Sequence, residues 1–296
     1  MTTLENDQLK VSIRPKGAEL TSIVHKPTNT EHLWQADPSV WGWHAPNLFP
    51  VVGGCLNNQL HIGGKGYPME RHGFARQSTF MQVESTASHA VFSLSSDSTT
   101  EAVYPYRFQF QIIYELNEST LQVTYRIQNE DEQTMYFSVG AHPAFRVPFN
   151  EEEAYEDYYI EFDKEEELKT HVLSSAGLFT GQTRPVELEA EDTRLPLTKH
   201  LFDQDALVFK SLQSRQVSLK SWRHSKAITL DFTAFPYLGI WAKPGASFVC
   251  IEPWLGCADS EDQAVPIQEK EAIQQVGAGQ VFNASFSIRI TEEILL

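Results

Sequence analysis

Phe108-Gln109-Phe110-Gln111-Ile112-Ile113-Tyr114 and, a short turn later, Leu121-Gln122-Val123-Thr124-Tyr125-Arg126-Ile127 carry large apolar side chains at every second position. A period of two turns one face of a strand to a core and the other to water, as in half-buried antiparallel sheets. Phe286, Ile288 and Ile290 repeat the pattern near the end of the chain, and shorter versions run through 90–94, 217–222 and 227–232. Helix signals are few. Only the acid-rich stretches 163–170 and 259–275 read as moderately helical, and Pro266 interrupts the second. No strand–helix alternation of the βαβ kind appears, which argues against a doubly wound nucleotide fold. Turn residues such as Pro15-Lys16-Gly17, Gly63-Gly64 and Lys243-Pro244-Gly245 are spread evenly, with no linker-like break. The expectation is an all-β chain: one domain over 1–296, a large antiparallel β-sandwich with few short helices and long loops over one opening.

Composition narrows the function. The chain has 296 residues, 39 acidic and 23 basic, for a net charge of −16, and 41% of it is apolar, enough for a sizeable core. A surface that acidic repels phosphate backbones and anionic lipid heads, so neither nucleic acid nor a membrane is the expected partner. Residues 1–7 lack the basic and apolar regions of a signal peptide, and no run of about 18 apolar residues occurs. The three cysteines, Cys55, Cys250 and Cys257, then read as buried, reduced thiols of a cytoplasmic protein. The acid runs 151–153 and 165–167 read as solvated loop faces. Exposed sheet edges allow either a monomer or a homodimer.

Familiar catalytic signatures are missing from the sequence. There is no G-x-x-x-x-G-K-[ST] phosphate loop, no G-x-S-x-G elbow and no H-E-x-x-H zinc helix. His72 and His142 have no local ligand partner, so a metal would have to be assembled from residues distant in sequence.

Three segments are nevertheless over-specified for plain strands and turns. In Arg71-His72-Gly73-Phe74-Ala75-Arg76, a histidine and two arginines flank a Gly-Phe turn in a chain poor in basic residues. In Val139-Gly140-Ala141-His142-Pro143, the proline biases His142 toward extended backbone and holds its ring in place. In Cys250-Ile251-Glu252-Pro253-Trp254, an acid interrupts an apolar run. Each has an ordinary explanation: a histidine beside a proline is usually a satisfied core or turn residue, and Glu252 could face solvent. A Glu252 that points inward needs an arginine, a histidine or a ligand hydroxyl, because a bare buried carboxylate is too costly. Trp34, Trp41 and Trp43 are read as core or loop anchors, with a sugar platform as the sharper alternative.

Five strings, N-L-F-P-V-V-G-G (47–54), R-H-G-F-A-R (71–76), V-G-A-H-P-A-F (139–145), F-D-Q-D-A-L-V-F (202–209) and C-I-E-P-W-L-G-C-A-D (250–259), occur in that order. Together they resemble the aldose 1-epimerase (galactose mutarotase) superfamily, and within it the LacX-type branch. The resemblance implies a β-sandwich with a site on a concave sheet face and a reaction without a cofactor. It makes His142 the general acid, Glu252 the general base, and His72 and Arg76 sugar contacts. Asp205 would bind ring hydroxyls, with Asp203 as an alternative two residues away on a shared strand face. One departure concerns the arginine that many relatives carry after F-P-x-V: here the pair is Gly53-Gly54, so Arg71 or Arg76 has to supply the charge. The implied substrate is a hexose such as galactose or glucose. A hexose 6-phosphate, met by Arg71, Arg76, Lys65 and Lys243, and a non-catalytic carbohydrate-binding protein are the alternatives.

Overall fold

The two alternating stretches are neighbours: Phe108–Asn117 pairs antiparallel with Thr120–Asn129, setting Phe110 opposite Ile127 and Ile112 opposite Tyr125. In the computed structural model, which describes residues 1–189 and 193–292, they belong to a nine-stranded sheet. The sheet continues on one side through Val281–Thr291, Ala227–Asp231, Gln216–Ser221, Tyr158–Phe162 and Arg194–Pro196, and on the other through His89–Ser95 and Met81–Ser85. All the stretches that alternate in the sequence fall in this sheet.

A six-stranded antiparallel sheet lies against it. Its order is Leu207–Phe209, Tyr237–Trp241, Phe248–Leu255, Val139–Ala141 and Asn47–Leu48, with Ala144–Arg146 also paired to Phe248–Leu255. The sheets are locked together by Phe49, whose ring lies 4.7 Å from Phe110 and also meets Phe74, Tyr104, Phe108 and Phe137. Burying one such ring stabilises by about 1.5–3 kcal/mol. The buried Tyr125 hydroxyl crosses the core as well, donating to Asn47 Oδ1 at 2.7 Å and reaching the Gly140 carbonyl at 3.2 Å.

The smaller sheet is covered on both faces. Every residue of Phe248–Leu255 is buried, which is why the stretch reads as a continuous apolar run rather than an alternation. Its outer face carries a second apolar cluster of Leu48, Val52, Phe179, Val208, Trp254 and Cys257. Phe179 in that cluster comes from a hairpin of Lys169–Leu173 and Phe179–Pro185, which walls one side of a cleft over the sheet.

Both helical expectations fail. Residues 163–168 form bends and coil leading into that hairpin, and 259–275 is mostly coil, bends and turns with a single 3-10 turn at Ile267–Glu269. Their acids serve tertiary contacts instead: Asp163 Oδ1 accepts from the Arg215 and Gln216 amides, and Asp259 pairs with buried Lys270. Two members of the acid runs are likewise not solvated. Glu166 is buried and accepts the Ser214 amide at 2.6 Å, and Glu153 receives the Tyr158 hydroxyl beside His224. Cys55, Cys250 and Cys257 are free and buried. Among the described residues no helix is long and apolar enough to cross a membrane.

Candidate active site

Strand register creates the site. Gly140 pairs with Trp254 and Ala144 with Cys250, so the two-residue break between those short strands sets His142 directly across from Glu252. The Pro143 carbonyl, accepting from the Ile251 amide at 3.2 Å, keeps that break on the sheet. Alternation then sends both side chains to the outer face. His142 Nε2 lies 3.3 Å from Glu252 Oε2, and the residues are 8% and 2% exposed. On the other side Glu252 pairs with Gly239, which pairs with Val208, so one row across the sheet reads Val208, Gly239, Glu252, His142.

Aromatic rings fix the imidazole. Trp41 stacks on His142 with centroids 5.1 Å apart, and Trp241 and His72 meet its ring edge-on at 5.9 and 5.7 Å. Of the three early tryptophans, Trp41 lines the cleft, Trp34 anchors it by donating Nε1–H to the Trp41 carbonyl, and Trp43 lies under the Arg76 guanidinium. The Trp254 indole lies across two glycines, where a Cβ would stand 2.6 Å from it at Gly239 and 2.7 Å at Gly140.

Burial dominates the electrostatics. It pushes the Glu252 carboxyl well above the usual carboxylate range; the nearby Asp205 charge adds to this, and the Trp254 N–H opposes it. It pulls the His142 imidazole down to about 3, with Arg76 adding to the effect. The pair therefore favours its uncharged form, a carboxylic acid beside a neutral imidazole.

The first arginine-containing string folds beneath N-L-F-P. The Phe74 and Ala75 amides both donate to the Phe49 carbonyl, at 3.0 and 3.1 Å. Gly73, at φ +70, sits where a Cβ would fall 2.3 Å from that same oxygen. His72 is also left-handed, at φ 69, and its Nδ1 accepts from the Gly53 amide at 3.1 Å. Burial, then the His142, Arg76 and Arg71 charges, hold His72 well below its ordinary value. A neutral His72 whose Nδ1 is an acceptor carries its proton on Nε2, which makes it a fixed donor.

Arg71 and Arg76 both line the cleft. Arg71 Nη2 donates to the Ala176 carbonyl at 2.6 Å, and Arg76 Nη2 donates to the Arg71 carbonyl at 2.9 Å. The position of the family arginine, Gly54, faces Leu178 and the carbonyls of Ala176 and Gly177. The turn at 174–178 fills that side, and the Arg71 guanidinium packs on the same turn.

Asp205 lines the cleft and Asp203 does not. They share no strand face, because 201–205 is a turn that ends with Asp205 at φ 74. Asp203 is exposed and bonds His200 Nδ1 at 2.8 Å. Lys65 and Lys243 stand outside the cleft: Lys65 lies over the Tyr67 ring and Lys243 donates to the Val40 carbonyl. The wall formed by Leu173, Gly177 and Phe179 has no counterpart among the sequence expectations. Its one signal, the Ala176-Gly177 turn, lies close to a stretch whose composition reads as helical.

The family model for aldose 1-epimerase matches residues 1–264. The chromosomal protein LacX of Lactococcus lactis subsp. lactis is 34% identical over 295 residues, 97% of this chain and 98% of LacX. A solved galactose mutarotase related enzyme from Lactobacillus acidophilus is 32% identical, with a TM-score of 0.92 over 98% of this chain and 97% of its own. A galactose mutarotase-like protein from Lactobacillus casei is 31% identical, again with a TM-score of 0.92, over 98% of this chain and all of its own.

Proposed function

The chain belongs to the aldose 1-epimerase family, and we propose that it interconverts the α and β anomers of a free hexose through His142 and Glu252. The observation that carries this is the placement of a carboxyl and an imidazole 3.3 Å apart on one face of a cleft. The anomeric hydroxyl and the ring oxygen share one carbon, so two proton-transfer groups acting on them must be close neighbours.

With one proton between them, the pair has two forms. In the carboxylate–imidazolium form, Glu252 takes the proton of the anomeric hydroxyl while His142 gives one to the ring oxygen, and the C1–O5 bond breaks. This leaves the carboxylic acid and the neutral imidazole, the form that burial favours in the free pair as well. The aldehyde then rotates about C1–C2 and closes on its other face: the ring-oxygen proton returns to His142 and the Glu252 proton goes to O1. No proton is consumed over the cycle. Such acid–base help contributes about 10²–10⁴-fold. His72 as a fixed donor, Arg76 and Asp205 are suited to hold the sugar's hydroxyls.

A free sugar suits the cleft better than a hexose 6-phosphate. Of the four cations such a phosphate would call on, only Arg71 and Arg76 line the cleft, while Lys65 lies over the Tyr67 ring and Lys243 on the Val40 carbonyl. A carbohydrate-binding protein would gain nothing from burying an acid and a base side by side. Polarimetry on freshly dissolved α-anomers tests the proposal. Galactose or glucose should equilibrate far faster than the buffer rate, and faster than glucose 6-phosphate. Equilibration at the buffer rate for every hexose would refute it.

A further inference from the structure

Beside the acid–base pair lies a third group that the proposed reaction does not use. Cys250 precedes Glu252 by two positions on Phe248–Leu255, so its side chain leaves the same face of the sheet. It is fully buried, and the ligand atoms of His142, Cys250 and Glu252 all lie within 4.8 Å of one another. We propose that these three residues form a binding site for a thiophilic divalent cation, Zn2+ above all. The ion would be held by His142 Nε2, Cys250 Sγ and a Glu252 oxygen, with its fourth position open to water from the cleft.

The geometry is close to what the ion requires. Zinc bonds of about 2.0–2.3 Å in a tetrahedron set the donor atoms about 3.3–3.6 Å apart. The imidazole–carboxylate edge already measures 3.3 Å. The edges to sulfur have to close by no more than about 1.5 Å, since none exceeds 4.8 Å. The donor set also selects the ion. Thiolate and imidazole suit zinc, whereas calcium and magnesium take six or more oxygens. A thiolate, a carboxylate and a neutral imidazole around a dication sum to zero charge, which suits a pocket that excludes water. Finally, Glu252 Oε2, in a side chain 2% exposed, faces the His142 ring nitrogen at 3.3 Å without a contact of hydrogen-bond geometry from any described residue. A bound cation would satisfy it.

The ion would take the electron pairs that His142 and Glu252 need for proton transfer, so the site is inhibitory. That consequence rests on the function proposed above; metal binding itself does not. Co2+ serves as the probe, because a thiolate ligand gives it a near-ultraviolet charge-transfer band. The full chain, reduced and free of metal, is titrated with Co2+ and then Zn2+, alongside Cys250→Ser, Cys250→Ala, Cys55→Ser and Cys257→Ser. The band is expected in the wild type and in the Cys55 and Cys257 variants, should vanish when Zn2+ is added, and should be missing from both Cys250 variants. Two substitutions guard against one failing to fold, which thermal melting shows. Even the loss of an outer-shell partner costs a metal site about 10–100-fold, so Zn2+ affinity should fall by more than about 100-fold without the thiol. No band in the wild type, or a band that survives in either folded Cys250 variant, would overturn the site. Turnover that continues in the Zn2+-loaded chain would overturn the inhibitory role. Because the band is read without sugar, it decides the metal site even in a chain that never epimerises.

Discussion

Gly239→Ala tests whether the floor of the cleft is built as described. An added Cβ would stand 2.6 Å from both Cη2 and Cζ2 of Trp254. Carbon–carbon contacts settle at about 3.5–4.0 Å, so the indole must retreat by about 1 Å. The backbone of Gly239 is not left-handed, so the substitution adds no φ strain and its effect is purely steric. Gly140 supports the other end of the ring, where a Cβ would be 2.7 Å from Cδ1. The indole therefore has no free space along the sheet and must lift into the cleft beside Glu252.

Overpacking of this kind costs about 1–3 kcal/mol, which in a chain of this size lowers the melting temperature by about 2–6 °C. The effect on catalysis should be larger, because misplacing a reacting group by about 1 Å can cost about 10²-fold in rate. Scanning calorimetry and polarimetry on the same sample separate the two. Adding Trp254→Phe removes the ring that clashes, so the double variant should be more stable than the sum of the single variants by over about 0.5 kcal/mol. A Gly239→Ala protein with wild-type melting and wild-type turnover, or strict additivity in the double variant, would refute the packing argument.

Three further outcomes follow from the same structure. Asp205→Asn should raise KM about 10–100-fold, the worth of a hydrogen bond to a charged group, while Asp203→Asn should leave it unchanged; steady-state kinetics on both variants checks this. Lys270→Met leaves Asp259 buried without its cation, and urea unfolding should show a loss of about 3–5 kcal/mol, with less than about 1 kcal/mol counting against the pair. Burial opposes ionisation of Glu292, but hydrogen bonds from His32 and Thr28 and the Lys226 charge outweigh it and hold the carboxyl at about 2. Its folded value is depressed, so its contribution is complete above pH 4.5 and is lost as pH falls toward 2. Melting temperatures between pH 6 and 3 (about these limits) should fall less steeply for Glu292→Gln than for the wild type.

The nine-stranded sheet was legible because one of its faces is wet along much of its length, so the side chains announce the period. Phe248–Leu255 was legible only as an apolar run, since both of its faces are covered and no alternation survives. The motif strings marked His142, Glu252, His72, Arg76 and Asp205, and the structure brings all five to one cleft. What the strings could not supply was register. That His142 stands opposite Glu252 depends on which residues of two short strands pair with a long one. The hairpin wall was hidden for another reason. Its acid-rich approach has helix-like composition, yet Asp163 and Glu166 accept amides of the 214–216 segment, and that tertiary demand outweighs local propensity. Asp203 and Asp205 were indistinguishable in sequence because only a left-handed turn, invisible there, sends one inward and leaves the other in solvent.

The measurement that bears most directly on the central claim is the polarimetric rate of Glu252→Gln on a fresh α-hexose. The amide keeps the carboxyl's shape but cannot take up the hydroxyl proton, so the enzymatic rate should fall by at least about 100-fold while the sugar still binds. A rate within about threefold of the wild type, far short of what acid–base catalysis contributes, would contradict the account.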